Sequence, residues 1–423
     1  MHTLHNFKGF EEVEVDLFRP LTLVIGPNGI GKSNLIEGVE LLAYLASGQP
    51  LHAVTDLGRG GAFEVRGGLQ SCARRPGDEF SLGFGAAIEF EGAMVPFDYE
   101  VTVRTRPVPE LRAECLRVDG RPWFVAESDA GSGLLRVTYD NFAQGRNKPT
   151  ATVPSSKTVL AHYRAVATRN KKLDACDASV ESLRGHLRES YVFDPSPRLM
   201  RDYGRIGNNV LLRDGSNLSP VLHALSIGSD EEKVTLRRLV ERVRQLPEEP
   251  FGEIAFETTR LGDVLFGFTA EGGQPMLDAR LLSDGTLRTL AVLTAIETSE
   301  PGSRVVVEEF DNGLHPSRVA MMLAAIIEVA TRRTLNVLVT THSPTALDSL
   351  GPDQLPNVQV CHWNAARHAA KLTPLSELPR VDELLERGRL GDLVTRRVLE
   401  SYLLPVSDAE RQEQAKKWLA ALP

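Results

Sequence analysis

The run Gly26-Pro27-Asn28-Gly29-Ile30-Gly31-Lys32-Ser33 constrains this chain more than any other feature. It matches G-x-x-x-x-G-K-[ST] in full, a loop whose glycines let successive backbone N–H groups turn inward on phosphate oxygens. Its setting fits. The apolar run Leu21–Ile25 before it has the length and composition of a strand buried on both faces. After it, Leu35, Ile36, Val39, Leu42, Ala43 and Ala46 recur with helical spacing, so a helix N-terminus faces the same anion. In such a loop Lys32 reaches the β- and γ-phosphates and the Ser33 hydroxyl ligates Mg²⁺. Pro27, Asn28, Gly29, Ile30, Gly31 and Asn34 complete the expected cradle for a nucleoside triphosphate with Mg²⁺; the loop alone fits a kinase, a GTPase or a motor.

The remaining chain supports an α/β protein of two to three domains. It has 423 residues, 42% apolar and 25% charged, with a net charge of −8, so it does not coat nucleic acid by charge alone. The composition predicts a cytoplasmic protein with no membrane span and no leader, and Cys72, Cys115, Cys176 and Cys361 form no C-x-x-C pair. Over 80–139 the apolar period is two, with turn signals at Glu91-Gly92 and Asp119-Gly120, which predicts an antiparallel meander of four to six strands. Over 160–246 the chain reads as mostly helical and rich in arginine. Residues 164–244 hold 15 Lys or Arg against 11 Asp or Glu. Such a stretch is either a set of solvated helix faces or a contact surface for DNA or an acidic partner. After residue 280, helices at 287–296 and 319–330 alternate with strands at Arg304–Val307 and 335–340, the pattern of a parallel sheet. Further helices are expected at 381–387, 394–404 and 408–422.

Three short motifs in that second half can complete a nucleotide site. Val305-Val306-Val307-Glu308-Glu309 is an apolar strand ending in two acids, and alternation along a strand would send the two carboxylates to different tasks. Leu282-Ser283-Asp284-Gly285-Thr286 opens an apolar helix and offers a second anion site, although Ser-Asp-Gly is also a common cap. Thr340-Thr341-His342-Ser343-Pro344 puts a histidine at the end of a buried parallel strand, on the edge where such sheets bind ligands.

Taken together, in that order, these motifs resemble the ABC-type ATPases, in the soluble branch that includes the RecF, SMC and OLD (overcoming lysogenization defect) families. GPNGIGKSN, LSDGTLR, EEFDNGLHP and TTHSP look most like the OLD-like AAA ATPases of bacterial defence and repair loci. The resemblance implies a P-loop core with a mixed, largely parallel central sheet, an antiparallel β subdomain and a helical insert. It implies an N-terminal core part at 1–60, the meander at 61–150, an arginine-rich lid at 151–250, a second core part at 251–350 and an extension at 351–423. It also implies site roles. Ser33 and Glu308 would hold Mg²⁺, Glu308 through water; Glu309 would polarise the attacking water; His342 would sense the γ-phosphate. Lys32 would act with them on the phosphates. Ser283 and Gly285 would meet ATP bound to the other subunit of a head-to-tail homodimer, with Asp311 and Asn312 coupling the two sites. Glu308 stands where many members carry aspartate, and Glu309-Phe310-Asp311 departs from the usual sequence after the catalytic acid. Gln70 is the candidate for the glutamine that normally follows the first lobe.

Some 250 residues separate Lys32 from Ser283, more than a transporter subunit needs, and 160–246 lacks the heptads of an SMC arm. About 75 residues follow the His342 segment without an acidic metal cluster, so no nuclease of the OLD type is expected; Glu383, Glu386 and Asp392 read as surface acids. The expected function is a dimeric ATPase core that controls a separately encoded nuclease or other toxic effector in anti-phage defence. The alternatives are a repair ATPase that grips duplex DNA through Arg164, Arg169, Lys171 and Lys172, and an ATP-locked scaffold with negligible turnover.

Overall fold

The computed structural model describes residues 1–17, 19–58, 63–128, 131–144, 147–188, 190–245, 251–270 and 276–378, with 381, 386, 388–396, 399 and 403 beyond them. The chain opens with β1 (His2–Phe7) and β2 (Phe10–Val15), a hairpin, followed by β3 (Leu21–Ile25), the phosphate loop and α1 (Lys32–Ala46). A small parallel pair, β4 (Val54–Asp56) and β5 (Phe63–Val65), leads into β6 (Glu79–Phe90), β7 (Ala93–Arg104), β8 (Glu110–Val118), β9 (Arg121–Ser128), β10 (Leu134–Tyr139) and β11 (Thr150–Pro154). The meander is therefore six-stranded. Its tight turns are the expected ones: Glu91 and Gly92 have φ of 50° and 82°, Asp119 and Gly120 of 52° and 70°, the twist that two-residue hairpin loops need.

The meander does not form a sheet of its own. β1 pairs with β6, His2 opposite Phe84, so the antiparallel strands continue the core in one 14-stranded sheet: β11-β10-β9-β8-β7-β6-β1-β2, then β20 (Ala369–Pro374), β19 (Val358–Asn364), β3, β18 (Asn336–Thr341), β17 (Arg304–Val307) and β12 (Ser190–Phe193). The N-terminal hairpin is the bridge, and the sequence reading had left residues 2–15 unassigned.

The 151–250 segment also departs from a purely helical lid. After α2 (Tyr163–Val166) and α3 (Leu173–Arg188) comes β12 (Ser190–Phe193), which runs parallel to the strand carrying the acids and closes the core sheet. Its four residues lack the run of three valines that marks the equally short strand over Arg304–Val307, which is why it is not legible in the sequence. Beyond it lie α4 (Pro197–Met200), β13 (Gly204–Arg205), α5 (Leu218–Ile227) and α6 (Asp230–Arg244). α6 begins at a capping box, with Ser229 and Glu232 satisfying each other's backbone N–H. Strands β14 (Phe251–Thr258), β15 (Asp263–Ala270) and β16 (Leu277–Asp278) join β13 in a second antiparallel sheet inside the range assigned to the core.

The parallel half has the expected elements, α7 (Asp284–Thr298), β17 (Arg304–Val307), α8 (Pro316–Arg332) and β18 (Asn336–Thr341), and adds α9 (Pro344–Asp348), the hairpin β19 (Val358–Asn364) and β20 (Ala369–Pro374), and α10 (Leu390–Thr395), which the sequence did not lead us to expect. β3 lies between β18 and β19 and is parallel to both. Both faces of this half are covered, which accounts for the unbroken apolar runs. Val24, Val306 and Leu338 point into the core that contains α1 and α3. Leu23, Ile25, Val305, Val307, Val337 and Val339 point into the core of α5 to α8. The expected helix at 408–422, Glu383, and most of the helices expected at 381–387 and 394–404 lie outside the described residues; Glu386 and Asp392 are exposed. No helix of the described residues is long and apolar enough to cross a membrane.

Candidate functional site

The phosphate loop owes its course to glycine. Gly26 has φ of 151°, and a Cβ there would stand 2.3 Å from the Cys361 carbonyl oxygen of β19. Gly31, at φ of 127°, leads directly into α1, so the N-terminus of a 15-residue helix faces whatever the loop encloses. Lys32 is 7% exposed, and its Nζ donates to the carbonyls of Gly26 (2.7 Å) and Pro27 (3.1 Å). Burial lowers its pKa, while Cys361, Glu309, Asp311 and Glu308 act to raise it. The ammonium is thus held over the loop, within electrostatic reach of all three acids.

Ser33 Oγ donates to Glu308 Oε2 at 2.9 Å, across 275 residues of sequence. The donor set suits magnesium: a hydroxyl and a carboxylate side by side are hard oxygen donors of the kind that ion takes. Burial pushes the Glu308 carboxyl up; the Ser33 hydroxyl, Arg66 and Arg213 pull it back, while Asp194 adds to the push. A bound cation would relieve that push.

Glu309 does not sit on the strand. β17 ends at Val307, Glu308 N–H still donates to Phe193 O of β12 (3.3 Å), and Glu309 turns away with φ of 44°. The two acids diverge because of this turn and not through strand alternation. Thr340 Oγ1 accepts from Glu309 N–H (2.9 Å) and fixes the backbone of the turn, while Asn312 Nδ2 donates to Glu309 Oε2 (3.4 Å) and holds the carboxylate. Asp311 is buried; its Oδ2 accepts from Thr341 Oγ1 (2.8 Å), and its Oδ1 has no hydrogen-bond partner among the described residues. That ties Asp311 to the residue before His342. His342 itself is exposed at the end of β18 and shares a cavity of about 660 Å³ with Gly26, Pro27 and Ile30.

The structure therefore gathers Lys32, Ser33, Glu308, Glu309, Asp311 and His342 on one edge of the sheet. Ser283 and Gly285 stand elsewhere, at the head of α7. Ser283 caps that helix, its Oγ accepting from Thr286 N–H (3.1 Å). Gly285 packs against the Asp311 turn, where a Cβ would lie 3.2 Å from Gly313 O.

Two neighbours of Glu308 escaped the sequence reading. Arg66 Nη2 lies 4.0 Å from Glu308 Oε2, and its Nε lies 3.3 Å from Oε1 of Glu37, a buried acid one turn after Ser33 on α1. Lys8 pairs with Glu37 and also donates to Arg66 O (3.2 Å). The signal was present in Arg66-Gly67-Gly68, whose glycines have φ of 77° and 65°. Asp194 follows β12 beside Glu308 and had no sequence signal. Gln70, by contrast, is exposed and lines a separate cleft with Lys8 and Arg74. Of the basic residues considered for DNA, Arg164 is bound to Asp174 and Asp177, and Lys172 to Glu91.

Residues 21–348 match the model of a family described as "AAA domain, putative AbiEii toxin, Type IV TA system". The chain is similar to a DNA replication and repair protein RecF of Parasynechococcus marenigrum, 52% identical over 44 residues, which are 10% of this chain and 12% of the relative. It is also similar to a chromosome partition protein Smc of Mycolicibacterium paratuberculosis, 27% identical over 199 residues, 43% of this chain and 16% of that one. Among solved structures, the Smc head bound to the C-winged helix domain of ScpA aligns with 88% of this chain and 95% of its own, at 11% identity and a TM-score of 0.45. The chain spans only a small part of the length of the curated relatives it matches.

Proposed function

The chain belongs to that AAA-domain family and is an ABC-type, RecF/SMC-like ATPase, and from this premise we propose that it hydrolyses Mg–ATP as a head-to-tail homodimer that controls a separate effector. The observation that carries the reading is the contact of Ser33 with Glu308, which puts a metal-binding oxygen pair beside a phosphate cradle.

Ser33 and Glu308 would hold the magnesium ion, which would supply positive charge against the negative charge of the phosphates. The residues of the chain do the rest. Backbone N–H groups of the loop and the N-terminus of α1 hold the phosphates, and Lys32 Nζ exchanges the Gly26 and Pro27 carbonyls for phosphate oxygens. Glu309, fixed by Thr340 and Asn312, orients the attacking water and accepts its proton. His342 donates to the terminal phosphate from the far side of the cavity. Arg66, held in reserve by Glu37 and Glu308, brings a further cation to the phosphates.

Ser283 and Gly285, at the head of α7 and against the Asp311 turn, would serve the nucleotide of a second copy. The packing of Gly285 on the Asp311 turn would link the two sites. ATP closure would then alter the surface formed by α5 and α6, licensing or restraining an effector such as a nuclease in anti-phage defence. A repair role that grips duplex DNA directly is the second reading, favoured by the RecF relatives and weakened by the ion pairs that occupy Arg164 and Lys172.

The test is the mass of the Glu309→Gln chain in solution. With Mg–ATP it should double, and with ADP it should not. A mass that ignores ATP would contradict the dimer.

A further inference from the structure

The hairpin of β1 and β2 joins the parallel half of the sheet through a single bridge. β2 runs parallel to β20, but the two strands pair only at Phe10 and Ala370, where Ala370 N–H donates to Gly9 O (2.8 Å). Beyond that point they part. A cleft of about 600 Å³ opens between residues 11–16 on one side and 369–372 on the other, and no described strand fills it. Each strand is bound along its other edge, β2 to β1 and β20 to β19, both antiparallel. In an antiparallel pair, alternate residues turn their N–H and C=O groups away from the partner. Both strands therefore present backbone donors and acceptors to the cleft with no strand opposite, two facing edges of the kind that takes up an added strand.

The side chains define what would fit. On β2, Val13 and Val15 are buried while Glu12 and Glu14 are exposed; on β20, Leu372 is buried while Lys371 is exposed. An added strand would thus have an apolar face continuing the core and a solvent face beside Glu12 and Glu14. The charge is uneven as well. Glu11, Glu12, Glu14, Asp16 and Glu377 line the cleft, against Arg19, Arg367 and Lys371. Both arginines are already engaged, Arg19 Nε lying 3.4 Å from Asp16 Oδ2 and Arg367 Nη1 3.8 Å from Glu11 Oε2. Glu12 has a weaker neighbour in His5, 4.0 Å away. The excess negative charge runs along β2, whose stretch from Glu11 to Val15 is about 16 Å long, room for about five extended residues.

We propose that this cleft receives an extended segment of a partner protein, in which Lys or Arg alternates with apolar residues, as an added strand on the open edge of β2. The backbone of that segment completes the ladder, its apolar side chains cover Val13, Val15 and Leu372, and its cations pair with Glu12 and Glu14. The cleft shares no lining residue with the phosphate loop, so the inference does not use the ATPase reading.

The probe is the fluorescein-labelled peptide Lys-Val-Lys-Val-Lys-Val-Lys, titrated with the full chain and followed by fluorescence anisotropy. Two control peptides carry the same charge: Lys-Lys-Lys-Lys-Val-Val-Val, which lacks the alternation, and Lys-Val-Lys-Pro-Lys-Val-Lys, whose proline cannot donate to a ladder. The alternating peptide should bind about tenfold or more tightly than either control. The double variant Glu12→Lys/Glu14→Lys should weaken it by about tenfold or more, since two cross-strand attractions become repulsions. Both side chains are exposed, so the circular dichroism of the variant should match that of the unmodified chain. Equal affinity for the three peptides would mean attraction by charge alone and would overturn the proposal. Binding that survives the charge reversal, or no binding of the alternating peptide, would overturn it too.

Discussion

Gly26 and Gly29 occupy the same loop, and the structure separates the costs of giving each a side chain. Gly29 has φ of 79°, and a Cβ there meets no atom within 4 Å. Gly29→Ala therefore carries only the left-handed backbone penalty of about 1–2 kcal/mol, offset in part by roughly 0.4–1 kcal/mol of reduced freedom in the unfolded chain. Gly26 has φ of 151°, and its Cβ would stand 2.3 Å from a backbone carbonyl of β19. Strain in that region costs about 1–3 kcal/mol, and relieving the overlap means parting two paired strands, comparable to overpacking at about 1–3 kcal/mol. The net expectation is about 1 kcal/mol for Gly29→Ala and about 3–5 kcal/mol for Gly26→Ala. At about 2 °C per kcal/mol, calorimetry should show losses of roughly 2 °C and 6–10 °C in Tm. ATP affinity should survive the first substitution far better than the second. Equal shifts, or an undiminished ATP affinity in Gly26→Ala, would refute the idea that β19 sets the course of the loop.

Glu308→Gln keeps the shape of the side chain but removes its charge. The Mg²⁺ concentration for half-maximal turnover should rise about tenfold or more, since even partners of metal ligands are commonly worth that much; an unchanged requirement would remove Glu308 from the metal site. Glu114 offers a separate test of folding. It is buried, accepts from the N–H groups of Val159 and Leu160 and from the Tyr99 hydroxyl, and burial raises its carboxyl from 4.5 to about 7. The folded chain then keeps a proton that the unfolded chain releases between about pH 4.5 and 7, so this group's contribution to stability falls as pH rises through that window. The Tm of Glu114→Gln relative to the unmodified chain should therefore increase from pH 5 to 8, and parallel curves would contradict the assignment.

What could be read from the sequence was what carries a long period or a full motif. β3 and β17 have the expected bounds, since buried parallel strands show as unbroken Leu, Ile and Val. The meander was visible through alternation and two Asx- or Glu-Gly turns. Three kinds of feature were not. β12 is four residues long, and only its pairing with β17 makes it a strand. The continuity of meander and core depends on β1 meeting β6, a long-range contact that no local pattern encodes. The turn at Glu309 follows from Thr340 drawing its backbone N–H away from the β17 ladder. The site shows the same division. Lys32, Ser33, Glu308 and His342 belong to contiguous motifs, whereas Arg66 and Asp194 reach Glu308 from segments with no motif of that length.

ATP turnover by the purified chain beside Lys32→Ala and Glu309→Gln, each with and without duplex DNA, tests the central claim most directly. Mg²⁺-dependent release of phosphate by the unmodified chain, lost in both variants and indifferent to DNA, is the expected result. Stimulation of several-fold by DNA would shift the account to a repair clamp. Absence of turnover in the unmodified chain, or turnover undiminished in Glu309→Gln, would contradict it.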